Sequence, residues 1–121
     1  MNCREDLEQY IESSYNAQRE HLWAKLPNYS VFRHYKSRKW FALIMDIPKT
    51  KLGLGSSEIV DVLELRCDPI LIGSLIRESG FYPAYHMNKS SWITIMLDNS
   101  ADMEKVKWLL DMSYETAGKK K

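Results

Sequence analysis

Apolar residues recur along this chain with two different periods, and the switches between them mark its elements. Leu7, Tyr10, Ile11 and Ser14 follow the i, i+3, i+4, i+7 spacing of one helix face. Glu5, Asp6 and Glu8 fall in the early turns, where the helix dipole favours negative charge. The pattern predicts a helix within residues 1–17. Residues 18–30, which include Pro27 and Asn28, read as a connection whose Trp23 and Leu26 pack down on the domain.

The period then shortens. Val31 to Lys36 and Lys39 to Ile47 read as strands meeting in a tight hairpin at Ser37-Arg38. Pro48 closes the second strand, and residues 48–57 form a loop carrying Lys49, Lys51, Gly53 and Gly55. Ile59 to Cys67 is a third strand, with Leu63, Leu65 and Cys67 on one face and Glu64 and Arg66 on the other. Asp68-Pro69 opens a helix, since Asp is a good N-cap and Pro suits the first turn. Leu71, Ile72, Leu75 and Ile76 form its stripe, and Gly80 offers the stop. Phe81 to Asn88 and Ser91 to Asp98 read as a second hairpin around Lys89-Ser90. In the last strand Ile93, Ile95 and Leu97 point one way and Trp92, Thr94 and Met96 the other. A final helix spans about 102–116, with Met103, Val106, Leu110, Ser113 and Tyr114 on one face, and residues 118–121 are read as a frayed tail.

The predicted order is α-β-β-β-α-β-β-α in one domain over 1–121, an α+β fold. Short hairpin links require antiparallel neighbours. The simplest arrangement is a largely antiparallel five-stranded sheet with the helices on one face. The opposite face is then expected to be partly exposed and, with the hairpin tips, open to a partner.

Composition limits the function classes. The 45% hydrophobic and 27% charged fractions suit a globular domain of 121 residues. No apolar run approaches the roughly 18 residues a membrane helix needs. The acidic, polar start does not resemble a signal peptide, and Cys3 and Cys67 lack CxxC spacing, so reduced thiols and a cytoplasmic location are expected. A monomer without cofactor is the expected state. The net charge of +1 gives no global field, but residues 31–57 carry six basic groups against Asp46 alone. Charge concentrated in this way is suited to local anion binding.

Catalytic signatures are weak. Lys51-Leu52-Gly53-Leu54-Gly55 lacks the GK[ST] ending of a phosphate loop and the full GxGxxG pattern. No nucleophile-elbow motif occurs, and His21, His34 and His86 have no nearby partner at metal-ligand spacing. The chain therefore reads as non-enzymatic. Glu5, Glu8 and Glu12 share one side of the first helix; a solvated acidic face is the ordinary interpretation and weak metal binding the sharper one. The first hairpin combines Arg33, His34, Lys36, Arg38 and Lys39 with Tyr35 and Trp40, and the second adds Tyr85, His86, Lys89 and Trp92. Cations neutralise phosphates and aromatic rings stack on bases. The alternative is an edge hairpin protected from aggregation by its charge.

The stretches VFRHYKSRKWFALIMDIPKTKLGL, LELRCDPILIGSLI, GFYPAYHMNKSSWITIMLD and WLLDMSYE closely resemble the YjbR/MmcQ family of small bacterial proteins, and the likeness runs from Trp23 onward. The resemblance implies a CyaY-like, or frataxin-like, sandwich described as carrying a double-wing DNA-binding motif. It transfers no agreed functional residues. The expected partner is DNA, bound through Arg33, His34, Lys36, Arg38, Lys39, Trp40, Tyr85, His86, Lys89 and Trp92. The alternative partner is a small molecule or protein on the exposed sheet face, at a pocket lined by Trp92 and Met96. The frataxin likeness also raises iron binding at the acidic first helix, although the first strand is basic here.

Overall fold

The computed structural model describes residues 4–119; Cys3 and the last two lysines of the expected tail lie outside this range. Its elements are α1 (Arg4–Tyr15), β1 (Ser30–Arg33), β2 (Trp40–Pro48), β3 (Ile59–Arg66), α2 (Pro69–Leu75), β4 (Phe81–Pro83), β5 (Trp92–Met96) and α3 (Met103–Gly118). The order is the one the hydrophobic periods predict. The five strands form one antiparallel sheet, ordered β1-β2-β3-β5-β4.

All three helices cover one face. Leu7 and Ile11 of α1, Leu75 of α2, and Val106, Leu109, Leu110 and Ala117 of α3 pack on Phe32, Ile44, Leu63, Leu65, Ile93 and Ile95. Caps set the starts of α2 and α3. Asp68 accepts a hydrogen bond from the Ile70 N–H, and Asp102 accepts one from the Glu104 N–H. Gly80 has φ of 89°, and a Cβ there would meet the Ala101 backbone nitrogen at 2.7 Å, so only glycine fits this turn.

The other face is not open as expected. Val31, Leu43, Met45, Ile47, Val62, Ala84 and Trp92 form a second core with Trp23, Tyr29, Tyr85 and Met87. Two irregular segments roof it. The connection before β1 returns as a strap, tied by a two-bond bridge between Glu20 and Val31. Its Trp23 meets Tyr29 and Trp40 edge-on, with ring centroids 6.1 and 5.9 Å apart. The other segment, residues 84–91, was expected to extend β4. Instead β4 ends at Pro83, which has no N–H to continue a ladder, and His86 adopts a left-handed φ of 65°. The segment folds over the second face, where the Tyr85 N–H donates to Thr94 Oγ1 at 2.9 Å.

The first hairpin also differs from a two-residue turn. A register shift leaves Phe41 as an extra residue of β2 opposite β1. Phe41 therefore joins Ala42 in the helix-side core, and Trp40 turns to the second face. The bulge parts the end of β2 from β3, and side chains repair the gap. Ser113 Oγ donates to the Phe41 carbonyl at 2.6 Å and accepts from the Arg66 N–H at 3.0 Å. Arg66 Nε donates to the Trp40 carbonyl at 2.5 Å.

Candidate nucleic-acid interface

Strand directions decide where the two candidate loops emerge. β2 and β5 are both antiparallel to β3, so they run parallel to each other. Loop 34–39 enters β2 and loop 84–91 enters β5, so both leave the same end of the sheet. Their roots are three strand spacings apart, about 14 Å.

Neither loop projects as a free wing. In the first, the His34 ring stacks on Tyr114 of α3 at 4.2 Å, and its Nδ1 accepts from the Lys36 and Ser37 N–H groups. Ser37 Oγ donates to the Ala117 carbonyl at 2.7 Å. This loop leans onto the C-terminus of α3, where the edge of His34 fills the space a Gly118 Cβ would take. The second loop leans the other way, across the second sheet face.

The ten expected contact residues divide accordingly. Lys36, Arg38, Lys39, His86 and Lys89 are exposed. Among the described residues, Lys36, Lys39 and Lys89 have no carboxylate within ion-pair distance, although Lys89 Nζ donates to the Ala84 carbonyl. Arg33 is engaged by Glu20 at 3.1 Å, and Arg38 meets the same carboxylate at 3.6 Å. His34 is committed to Tyr114. Trp40 is half-buried against Trp23, and Tyr85 is half-buried with its ring tilted on His86 at 4.3 Å. Trp92 is 5% exposed, with the Arg66 guanidinium 4.9 Å from its ring centroid, so it is a core residue and has no face to offer a base.

Arg66 and Glu64 were not among the expected residues. They interrupt an apolar strand on the face opposite Leu63 and Leu65, and that interruption was the available signal. Glu64 is fully buried below loop 84–91, where Thr94 Oγ1 donates to Glu64 Oε2 and Oε1 has no partner among the described residues. Burial pushes its pKa up to about 8, against the opposing pull of the Thr94 hydroxyl, the Lys89 ammonium and the Tyr85 N–H. Burial also lifts the Cys67 thiol to about 11, away from a reactive thiolate.

Each of the two loops contains one residue with a left-handed backbone. Among the described residues, four non-glycine residues have left-handed φ: Asn16, Arg38, His86 and Asn99. Asparagine and histidine adopt this region more readily than most side chains, which leaves Arg38 at 63° as the uncommon case. Such strain collects at binding sites, where surrounding structure holds it in place.

Between strap and second loop the roof is incomplete. An apolar pocket of about 250 Å³ is lined by Trp23, Leu26, Tyr29, Trp40, Leu43, Met45, His86 and Met87. It does not use Trp92 or Met96, which are buried. Trp23 and Leu26 of the strap were expected to pack on the domain; Tyr29 and the pocket itself were not foreseen, because residues 18–30 show no period.

The acidic face of α1 already holds a cation. The Arg19 guanidinium lies 3.1 Å from Glu5, 3.0 Å from Glu8 and 3.0 Å from Glu12. Its hydrogen bond to Glu12 holds that carboxyl below its usual pKa. Glu8 is buried and also accepts from Ser30 Oγ at 2.7 Å. The carboxylates that suggested a metal form an ion-pair cluster around arginine. Among the described residues, no group of three His, Cys, Asp or Glu side chains is placed to hold a metal ion, and no helix is long and apolar enough to cross a membrane.

Comparison with known proteins is consistent with this architecture. A crystal structure of a Pseudomonas syringae protein superposes with a TM-score of 0.92 at 40% identity, covering 95% of this chain and 98% of that one. The Deinococcus radiodurans protein DR2400, described as a DUF419 domain, superposes with a TM-score of 0.71 at 25% identity, covering 96% and 78%. The uncharacterized protein YyaQ of Bacillus subtilis is 33% identical over 114 residues, which is 94% of this chain and 97% of YyaQ. The YjbR family model matches residues 12–116, and with that span and these relatives the chain belongs to the YjbR family.

Proposed function

We propose that this protein is a non-enzymatic DNA-binding domain whose contact surface is the loop end of the sheet. The observation that carries the reading is the set of exposed lysines there. Lys36 and Lys39 have no carboxylate within ion-pair distance among the described residues, and Lys89 is exposed near the buried Glu64, whereas Arg4, Arg19 and Arg33 are all engaged in internal ion pairs. Arg38 is 62% exposed and held only at 3.6 Å by Glu20, so it can swing to a phosphate at little cost. The non-enzymatic part rests on the buried titratable groups. Glu64 has no solvent exposure and Cys67 is 8% exposed, so neither reaches a substrate in this conformation.

The test is fluorescence anisotropy of a labelled oligonucleotide across a salt series. Each cation that neutralises a phosphate adds about 0.7–0.9 to the slope of log K against log salt. The Lys36→Glu, Lys39→Glu double variant is expected to bind more weakly and to lose about 1.5 from that slope. If the wild type shows no binding at low salt, the reading fails.

The pocket supports a second reading, a small apolar ligand bound on the second sheet face. A rise in melting temperature on adding such a ligand, without DNA binding, would favour it.

A further inference from the structure

We infer that the apolar pocket receives an unstacked nucleobase, and that the protein therefore prefers single-stranded DNA to duplex. This inference rests on the DNA-binding reading above and assigns the form of nucleic acid.

The pocket's size, lining and position each contribute. At about 250 Å³ it falls below the roughly 300 Å³ at which pockets for drug-sized ligands begin, a volume suited to a small planar group. Trp23 meets both Tyr29 and Trp40 edge-on, at 76° and 81°, so these three rings form no face-to-face stack. A base has a π-face for such a ring to stack on, whatever its identity. His86 and Tyr29 bring hydrogen-bonding groups to an otherwise apolar lining, as recognition of a base edge requires.

Position joins the pocket to the cations. Trp40 directly follows Lys39 at the root of the first loop, and His86 lies three residues before Lys89 in the second. In this inference a strand whose phosphates meet Lys39 and Lys89 turns one base toward the pocket that Trp40 and His86 line. In a duplex that base is paired and stacked, and extracting it costs a few kcal/mol. Single strands avoid most of that cost. The left-handed backbone of His86 fixes the turn that carries this pocket residue.

The experiment compares three ligands by anisotropy at low salt: a labelled thymine oligonucleotide, the same length with abasic sites, and a duplex of equal length. The single strand is expected to bind at least tenfold more tightly than the abasic strand, with quenching of tryptophan fluorescence. Leu26→Trp fills the pocket from the strap, at a position 40% exposed and therefore tolerant of substitution. It is expected to lower single-strand affinity to the abasic level while leaving abasic binding unchanged. His86→Ala, a second variant outside the core, is expected to act in the same direction. Equal binding of all three ligands, with no effect of Leu26→Trp, overturns the inference and leaves DNA binding intact. Absence of binding by every ligand removes both. Binding of free thymidine as tight as the strand overturns the strand assignment and gives the pocket to a small molecule.

Discussion

Glu64 carries the clearest consequence at the scale of single residues. Its pKa is pushed up to about 8 in the folded protein, against about 4.3 for an unfolded-chain glutamate. Between these values the folded state binds a proton that the unfolded state has released, so stability falls as pH rises through this window and the effect levels off above it. Glu64→Gln removes the titration. Thermal unfolding from pH 5 to pH 9 should show the variant gaining on the wild type up to about pH 8, by a few kcal/mol in all. Parallel profiles for the two proteins would show that Glu64 is not held in this way. His86 gives a second prediction at this scale. Replacing it with glycine relieves a left-handed conformation worth about 1 kcal/mol. Urea unfolding should therefore shift to a higher midpoint while DNA affinity falls. Stability and affinity falling together would mean that His86 is a structural residue.

Elements were legible where their side chains repeat and illegible where a single residue breaks the repeat. The alternation of Ile93, Ile95, Trp92 and Thr94 marked β5, and Asp68-Pro69 marked the start of α2. The Phe41 bulge was invisible, because it inserts one residue without disturbing an apolar run in which every neighbour is also apolar. The strand expected from Phe81 to Asn88 was too long for a different reason. Pro83 ends the ladder and the left-handed His86 redirects the segment across the sheet. Ser113 shows how tertiary structure repairs what local pattern conceals. It was expected only as a small residue on the α3 stripe, yet its hydroxyl is the sole side-chain partner of both the Phe41 carbonyl and the Arg66 N–H among the described residues. Ser113→Ala leaves both groups buried and unpaired, and should cost about 1–3 kcal/mol in chemical denaturation. A neutral result would mean that the end of β2 can reclose on β3 without it.

At the scale of the whole molecule, a near-neutral chain places Lys36, Lys39 and Lys89 together at one end of the sheet, while Lys25, Lys51 and Arg77, also without ion pairs among the described residues, lie outside the two loops. Charge counting located the basic stretch within residues 31–57 but could not separate Arg33, spent on Glu20, from Lys36 and Lys39, which are not. Nor could it show that the two loops share an end, because that depends on the parallel course of β2 and β5 within an antiparallel sheet. The acidic first helix is the converse case: three carboxylates that looked available in sequence are joined by Arg19, from the start of the strap. The most direct measurement is a titration of isotope-labelled protein with a single-stranded oligonucleotide, followed by amide and indole NMR shifts. Shifts confined to residues 34–40 and 84–91 and to the Trp23 and Trp40 indoles are the predicted result. Shifts on the outer faces of α1 and α3, or none at low salt, would contradict it.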